Sequence, residues 1–250
     1  MDNREVVNDK VKPYKKQDSK TNQLREMFNT ISKDYDFFNN LMSWGLAHTW
    51  RKKAILWLKG SDNSVLLDVA TGTADILILA EKYLQPQQIY GIDISEEMLK
   101  IGRTKLEEHH LSEKTVLEVQ DCANLQFKDG SFDTVTIAFG LRNLEKLSHS
   151  VEEINRVLKT GGKFLIVEVN EPQRGVLAFF YKIYVRMYVL FAARLLSDDK
   201  DAYKYLTQSM HFFPQGKALT EILTPLGFKL EKYKSFTLGV CSAYLFEKTN

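Results

Sequence analysis

The chain has 250 residues, 44% of them hydrophobic and 26% charged, with a formal net charge of +2. That length suits one larger domain with a sizeable core, and the near-even charge lacks the basic excess that marks a nucleic-acid partner. Two distant cysteines, Cys122 and Cys241, form neither a disulfide framework nor a CxxC metal motif, so no metal is expected and a reducing cytoplasm is the expected setting.

Residues 1–20 are polar, with no apolar signal-peptide core, and are expected to be a disordered tail. A single domain is expected over 21–250. Its first part, 21–60, reads as a helical cap: Leu24, Met27, Phe28 and Ile31 recur at helical spacing, with a break at Gly45. Strands and helices then alternate. Strands are predicted at 64–70, 88–94, 115–121, 132–140 and 163–169, with helices from 74 to 83, 95 to 110 and 147 to 159. Ser95 is the expected N-cap of the second of these helices, and Gly161–Gly162 are the expected close of the third. A helical insert is expected at 173–215. Its apolar stretch 176–196 is long enough to span a bilayer, but Lys182, Arg186 and Arg194 interrupt it. Charges at mid-membrane are costly, so a partly buried or interfacial helix is expected. A further helix and a closing hairpin, 228–236 and 240–248 with its turn at Leu238–Gly239, complete the pattern. The prediction is an α/β fold: a mostly parallel seven-stranded sheet with a C-terminal antiparallel strand and helices on both faces.

The run "DVATGTAD" (68–75) occupies the first strand-to-helix turn, where open α/β sheets bind ligands. It lacks the G-x-G-x-x-G of a dinucleotide site and the G-K-[ST] of a phosphate loop. A single glycine, Gly72, suits a ligand without phosphates. Asp75 is expected to repel a pyrophosphate and to pair with an ammonium. Asp93 ends the second strand, where a carboxylate suits ribose hydroxyls, and Asp121 ends the third, where it can accept from an adenine amino group. An adenosine carrying an amino acid and no phosphate is S-adenosylmethionine. The candidate cofactor-binding residues are Asp68, Gly72, Thr73, Asp75, Asp93, Asp121 and Cys122. Taken singly, each is equally compatible with a plain turn or a helix cap.

With these residues the chain resembles a class I methyltransferase. Further motifs resemble the C-methyltransferases of ubiquinone and menaquinone biosynthesis, over about 21–247. They are "YDFFNNLMSWGLAHTW" (35–50), "FDTVTIAFGLRN" (132–143), "RVLKTGGKFLIVEVN" (156–170) and "AYKYLTQSMHFFP" (202–214). The sequence departs from that family at Phe38 for methionine, Ala74 for glycine, Thr160 for proline and Asn170 for serine. Ala74 is expected to set a methyl beside the cofactor, Phe38 and Asn170 to reshape the quinone pocket, and Thr160 to be benign.

The resemblance implies methylation of a ring carbon of a prenylated quinol, demethylmenaquinol in the first instance. A methoxylated polyprenyl benzoquinol, another small acceptor, and a scaffold without activity stay open. Arg142 and Asn143 follow the fourth strand and, with Tyr35 from the cap, are the candidate catalytic residues. Arg142 suits phenolate stabilisation or the ordering of a water, being too basic to take the proton itself. His48 is read as equally compatible with a structural place. No [DN]-P-P-[YF] follows the fourth strand and no cysteine-nucleophile motif is present, so no nucleic-acid substrate is expected. The 176–196 helix is compatible with walling a prenyl groove at a membrane surface, and equally with a core or homodimer contact.

Overall fold

Five mid-chain segments lie side by side, and all but the outermost are largely buried, as apolar runs without strict alternation require. They are β1 (Val65–Val69), β2 (Gln88–Asp93), β3 (Thr115–Val119), β4 (Phe132–Ala138) and β5 (Leu158–Val169), joined by β6 (Phe228–Phe236) and β7 (Cys241–Lys248). A computed structural model describes residues 11–172, 183, 184, 187 and 200–249, the Phe38, Lys200 and Tyr203 side chains excepted. The sheet order is β3-β2-β1-β4-β5-β7-β6. β7 runs antiparallel to both β5 and β6, and the other pairings are parallel. After β3 the chain crosses back to the far side of β1, so the switch point lies between β1 and β4.

The helices are α1 (Lys20–Met42), α2 (Leu46–Ile55), α3 (Asp75–Leu84), α4 (Glu96–Glu108), α5 (Leu147–Val157), α6 (Lys200–Phe212) and α7 (Lys217–Leu223). Side-chain alternation along β1 divides the core. Leu67 and Val69 pack with Val151 and Ile154 of α5 and Leu219 and Leu223 of α7. Leu66 faces the other way, onto Leu77 and Ala80 of α3 and Leu106 of α4. α1 packs Leu24, Met27 and Ile31 onto Met98 of α4 and Tyr205 of α6. It is pinned at its start by Lys20 Nζ to the Arg142 carbonyl (3.3 Å) and Thr21 N–H to Glu145 (3.0 Å).

Three expectations need correction. Gly161–Gly162 do not cap a helix. α5 ends at Val157, Leu158 is already extended (φ −79°, ψ 138°), and Gly161 (φ +76°) turns the chain within β5. From residue 11 onward the tail is packed: Pro13 is buried, and Val11 and Tyr14 lie against the α1 core, while residues 1–10 lie outside the described residues. Asn170 is not in the lining of the cavity that holds Arg142; it borders a separate open pocket with His211 and Tyr233. Its side chain donates to Ser242 Oγ (2.5 Å) and its N–H to the Val240 carbonyl (2.8 Å), tying β5 to β7. The expectations for the Phe38 side chain and for most of 176–196 fall outside the described residues. No helix among the described residues is long and apolar enough to cross a membrane.

Candidate functional site

The turn after β1 has a left-handed residue at every second position: Ala70 (φ +52°), Gly72 (+55°) and Ala74 (+67°). Only the middle one is a glycine, for which this region carries no steric penalty. The turn is held from β2, because Thr71 N–H donates to the Ile92 carbonyl (2.9 Å) and Gly72 N–H donates to Asp93 Oδ2 (2.9 Å). Asp93 Oδ1 accepts from Ser95 N–H (2.9 Å), and Ser95 caps α4 by accepting from Met98 N–H. One carboxylate thus fixes both the Gly72 loop and the start of α4.

Above this turn, at the carboxyl ends of β1, β2 and β4, lies a cleft. The structure brings Gly72, Asp93, Asp121, Cys122, Asn143 and Tyr35 to its walls, with Phe28 and Met98 as apolar flanks. Asp93, Asp121 and Glu145 line it, and among the described residues no lysine, arginine or histidine does. Burial pushes the Asp93 carboxyl up to about 6, against the backbone N–H groups of Ser95 and Gly72 that favour its charge. Asp121 accepts from Ala123 N–H (3.0 Å). The Cys122 thiol is buried beside the Ser150 carbonyl, and burial raises its pKa, so it is not a thiolate nucleophile.

Three of the sequence candidates stand elsewhere. Asp68 shares the Leu66 face of β1 and is buried under the turn, where Thr136 Oγ1 donates to it (2.6 Å); burial lifts it to about 7. Thr73 and Asp75 lie outside the cleft. Asp75, expected to pair with a cofactor ammonium, already holds two cations of the protein, Arg51 of α2 (2.7 Å) and Lys105 of α4 (2.8 Å). Lys105 also reaches Asp36 of α1 (2.6 Å), and Thr73 Oγ1 donates to Asp36 (2.7 Å). This network clamps the cap onto the turn. Sequence reading missed Arg51 and Lys105 because neither stands in the turn; they arrive from helices on either side. The Ala74 methyl also points away from the cleft, into the core with Leu77 and Leu106. Within this turn, the alanine that lines the cleft is Ala70.

A second, smaller cavity adjoins the first and shares Phe139 with it. Phe139 is itself left-handed (φ +62°), and the Arg51 guanidinium lies 4.8 Å over its ring. This cavity is lined by Trp50, Val169 and Met210, together with Arg142. Arg142 is buried, and its Nη1 donates to Glu168 Oε1 (2.6 Å) and the Phe139 carbonyl (2.5 Å). Burial opposes its charge, but Glu168 outweighs that and raises its pKa. Glu168 is the one charge in the run 164–169; an acid in so apolar a strand needs a buried partner, the signal by which sequence could have found it. Asn143 Oδ1 accepts from Tyr205 Oη (3.1 Å). Burial raises the Tyr35 pKa, so its phenol stays protonated at neutral pH. His48 stands on the exposed face of α2, away from both cavities.

The ubiE/COQ5 methyltransferase family model matches residues 16–248. The chain belongs to this family. A demethylmenaquinone methyltransferase of Bacteroides fragilis is 41% identical, over 96% of this chain and 98% of its own. A ubiquinone/menaquinone biosynthesis C-methyltransferase of Geotalea daltonii is 36% identical, over 92% and 97%. Among solved structures, a SAM-dependent methyltransferase from Aquifex aeolicus shares the fold with a TM-score of 0.60 at 16% identity, covering 86% of this chain and 98% of that one. Tyr35 of α1 and Asn143, which follows β4, thus line one cleft although they are far apart in sequence.

Proposed function

We propose that this protein transfers the methyl group of S-adenosylmethionine to a ring carbon of demethylmenaquinol, giving menaquinol. The observation that carries the reading is a cleft with three carboxylates and no cation, adjoining an apolar cavity that holds Arg142. A phosphate-bearing cofactor would meet only like charge there, whereas an adenosine with an ammonium and a sulfonium suits it. The near-full-length relative named for demethylmenaquinone supports the naphthoquinol over other acceptors.

When bound, S-adenosylmethionine supplies an electrophilic methyl on a sulfonium. Asp93, at the end of β2, is placed to accept from a ribose diol. Gly72 allows close backbone approach, because the nearest side chain a Cβ there would meet is Tyr35, 3.9 Å away. On the acceptor side, Arg142 can stabilise a phenolate, the form that makes the adjacent ring carbon nucleophilic. Glu168 holds the guanidinium in place and keeps it charged. Tyr35 and Asn143 position the reactants where the two cavities meet. Arg142 cannot take the ring proton, so proton removal passes to water ordered by this group.

A prenylated acceptor resides in a membrane, and one face of the cap suits that. Phe37, Leu41, Trp44 and Tyr184 line a shallow apolar groove, with Trp44 74% exposed and its ring 5.4 Å from that of Tyr184. An exposed aromatic patch of this kind favours peripheral membrane contact. Liposome co-sedimentation weakened by Trp44→Ser is expected; a concentration-dependent doubling of mass without lipid binding would instead assign the patch to a homodimer. For the activity itself, quinones extracted from cells with and without the protein give the test. Accumulation of demethylmenaquinone without it is expected, and an unchanged quinone pool would reject the reading.

A further inference from the structure

The acceptor-side cavity contains a polar group that the protein does not fully satisfy. Asn39 lines it, and among the described residues its buried Nδ2 makes no hydrogen bond of full geometry. Its surroundings in that cavity are mainly apolar, among them Met42, Trp50, Phe139 and Val169. A buried amide donor left unpaired is costly, and native folds keep few of them. Replacing it with an apolar residue of similar size would remove that cost.

Its position on the helix gives it a use. Asn39 follows Tyr35 by four residues on α1, so both project from one helical face. Tyr35 lines the cofactor cleft and Asn39 the adjoining cavity. The Asn39 amide also reaches the Tyr35 phenol in a side-chain hydrogen-bonding contact that opposes the burial-driven rise of its pKa but falls short of full hydrogen-bond geometry, so the donor is under-satisfied. The cavity therefore offers two donors of different kinds, the charged Arg142 guanidinium and the neutral Asn39 amide. A quinol ring carries two oxygens, one of which must become phenolate-like while the other stays a hydroxyl.

We propose that Asn39 is an acceptor-binding residue, donating a hydrogen bond from Nδ2 to a ring oxygen of the quinol. This rests on the quinol methyltransferase reading above and adds to it the residue that recognises an oxygenated ring. Arg142 then serves the oxygen that gains charge, and Asn39 fixes the ring so that the free carbon faces the methyl donor.

The test is Asn39→Leu, assayed with demethylmenaquinol of short prenyl chain and with a prenylated naphthol lacking one ring hydroxyl. The variant should fold at least as stably as the wild type. Its kcat/KM for the quinol should fall roughly 3- to 10-fold, the range for losing a hydrogen bond to a neutral hydroxyl. Its affinity for S-adenosylhomocysteine by calorimetry should be unchanged. On the naphthol, variant and wild type should differ by much less. An active wild type matched by an equally active variant would overturn the inference alone, as would a loss of equal size on both acceptors or a parallel loss of cofactor affinity. A wild type that leaves demethylmenaquinol unmethylated would overturn the reading beneath it, and this inference with it.

Discussion

At the residue scale, the turn after β1 stores strain beside the cofactor cleft. A left-handed L-residue costs roughly 1–2 kcal/mol, and Ala70, Ala74 and Phe139 all adopt that conformation. Strained backbone of this kind persists where surrounding contacts over-determine it; here Asp93 grips the loop through Gly72. Ala70→Gly and Ala74→Gly both relieve strain, but only Ala70 lines the cleft. Calorimetry is expected to show a changed cofactor dissociation constant for Ala70→Gly and one within about twofold of wild type for Ala74→Gly, whose methyl lies in the core. Gly140 is needed for close approach, since a Cβ there would fall 2.6 Å from that of Ala70. Gly140→Ala is expected to destabilise by about 1–3 kcal/mol in denaturant titration. Asp93 makes binding pH-dependent. Its folded pKa of about 6 lies above the unfolded 3.8, so the free protein loses stability as pH rises from about 4 through 6. Hydroxyl binding wants the ionised form, so cofactor affinity should fall about tenfold per pH unit below that value. A flat affinity from pH 5 to 7.5 would remove Asp93 from the site.

At the scale of elements, the cap and the cofactor turn are joined by charge. Arg51, Lys105, Asp36, Asp75 and Thr73 connect α1, α2, α3 and α4. Burial works against the Asp75 charge, but Arg51 and Lys105 outweigh it and depress its pKa. Its share of stability is therefore present above the unfolded value near 4 and is lost as pH falls through the depressed folded value. Lys105→Met leaves Asp36 and Asp75 without their shared cation. Each pair is partly exposed, so a loss of about 1 kcal/mol per pair is expected, with faster cofactor release by stopped flow as the cap loosens. Element identities were legible because periodicity follows from burial: the apolar runs became strands and the Leu24-to-Ile31 spacing a helix face. The end of α5 was not, since Gly161 reads as a helix cap whether it closes a helix or turns a strand. That Gly72, Asp93 and Asp121, each close to a strand end, line the cleft could be read from spacing. Arg51 and Glu168 could not, because their partners are distant in sequence, and the direction of the Ala74 methyl depends on a backbone sign that sequence does not display.

For the whole molecule, the sheet crosses over at β1 and β4 and leaves a cleft there, and α1 lies against it with one face. The proposed cofactor cleft and acceptor cavity share Phe139, so in the proposed reading the two ligands lie on either side of one ring. The apolar groove at Phe37 and Trp44 gives the cap an outward side as well. The architecture was legible from the alternation of elements and the final hairpin, whereas the division into two cavities arises only when β4, β5 and the cap converge. The most direct test is a methyl-transfer assay with the purified protein, methyl-labelled S-adenosylmethionine and demethylmenaquinol, followed by mass spectrometry of the quinone. One label on a ring carbon of menaquinol, abolished in Asp93→Asn, is the expected result. Cofactor binding by calorimetry with no label in the quinone, against a working control enzyme, would contradict it.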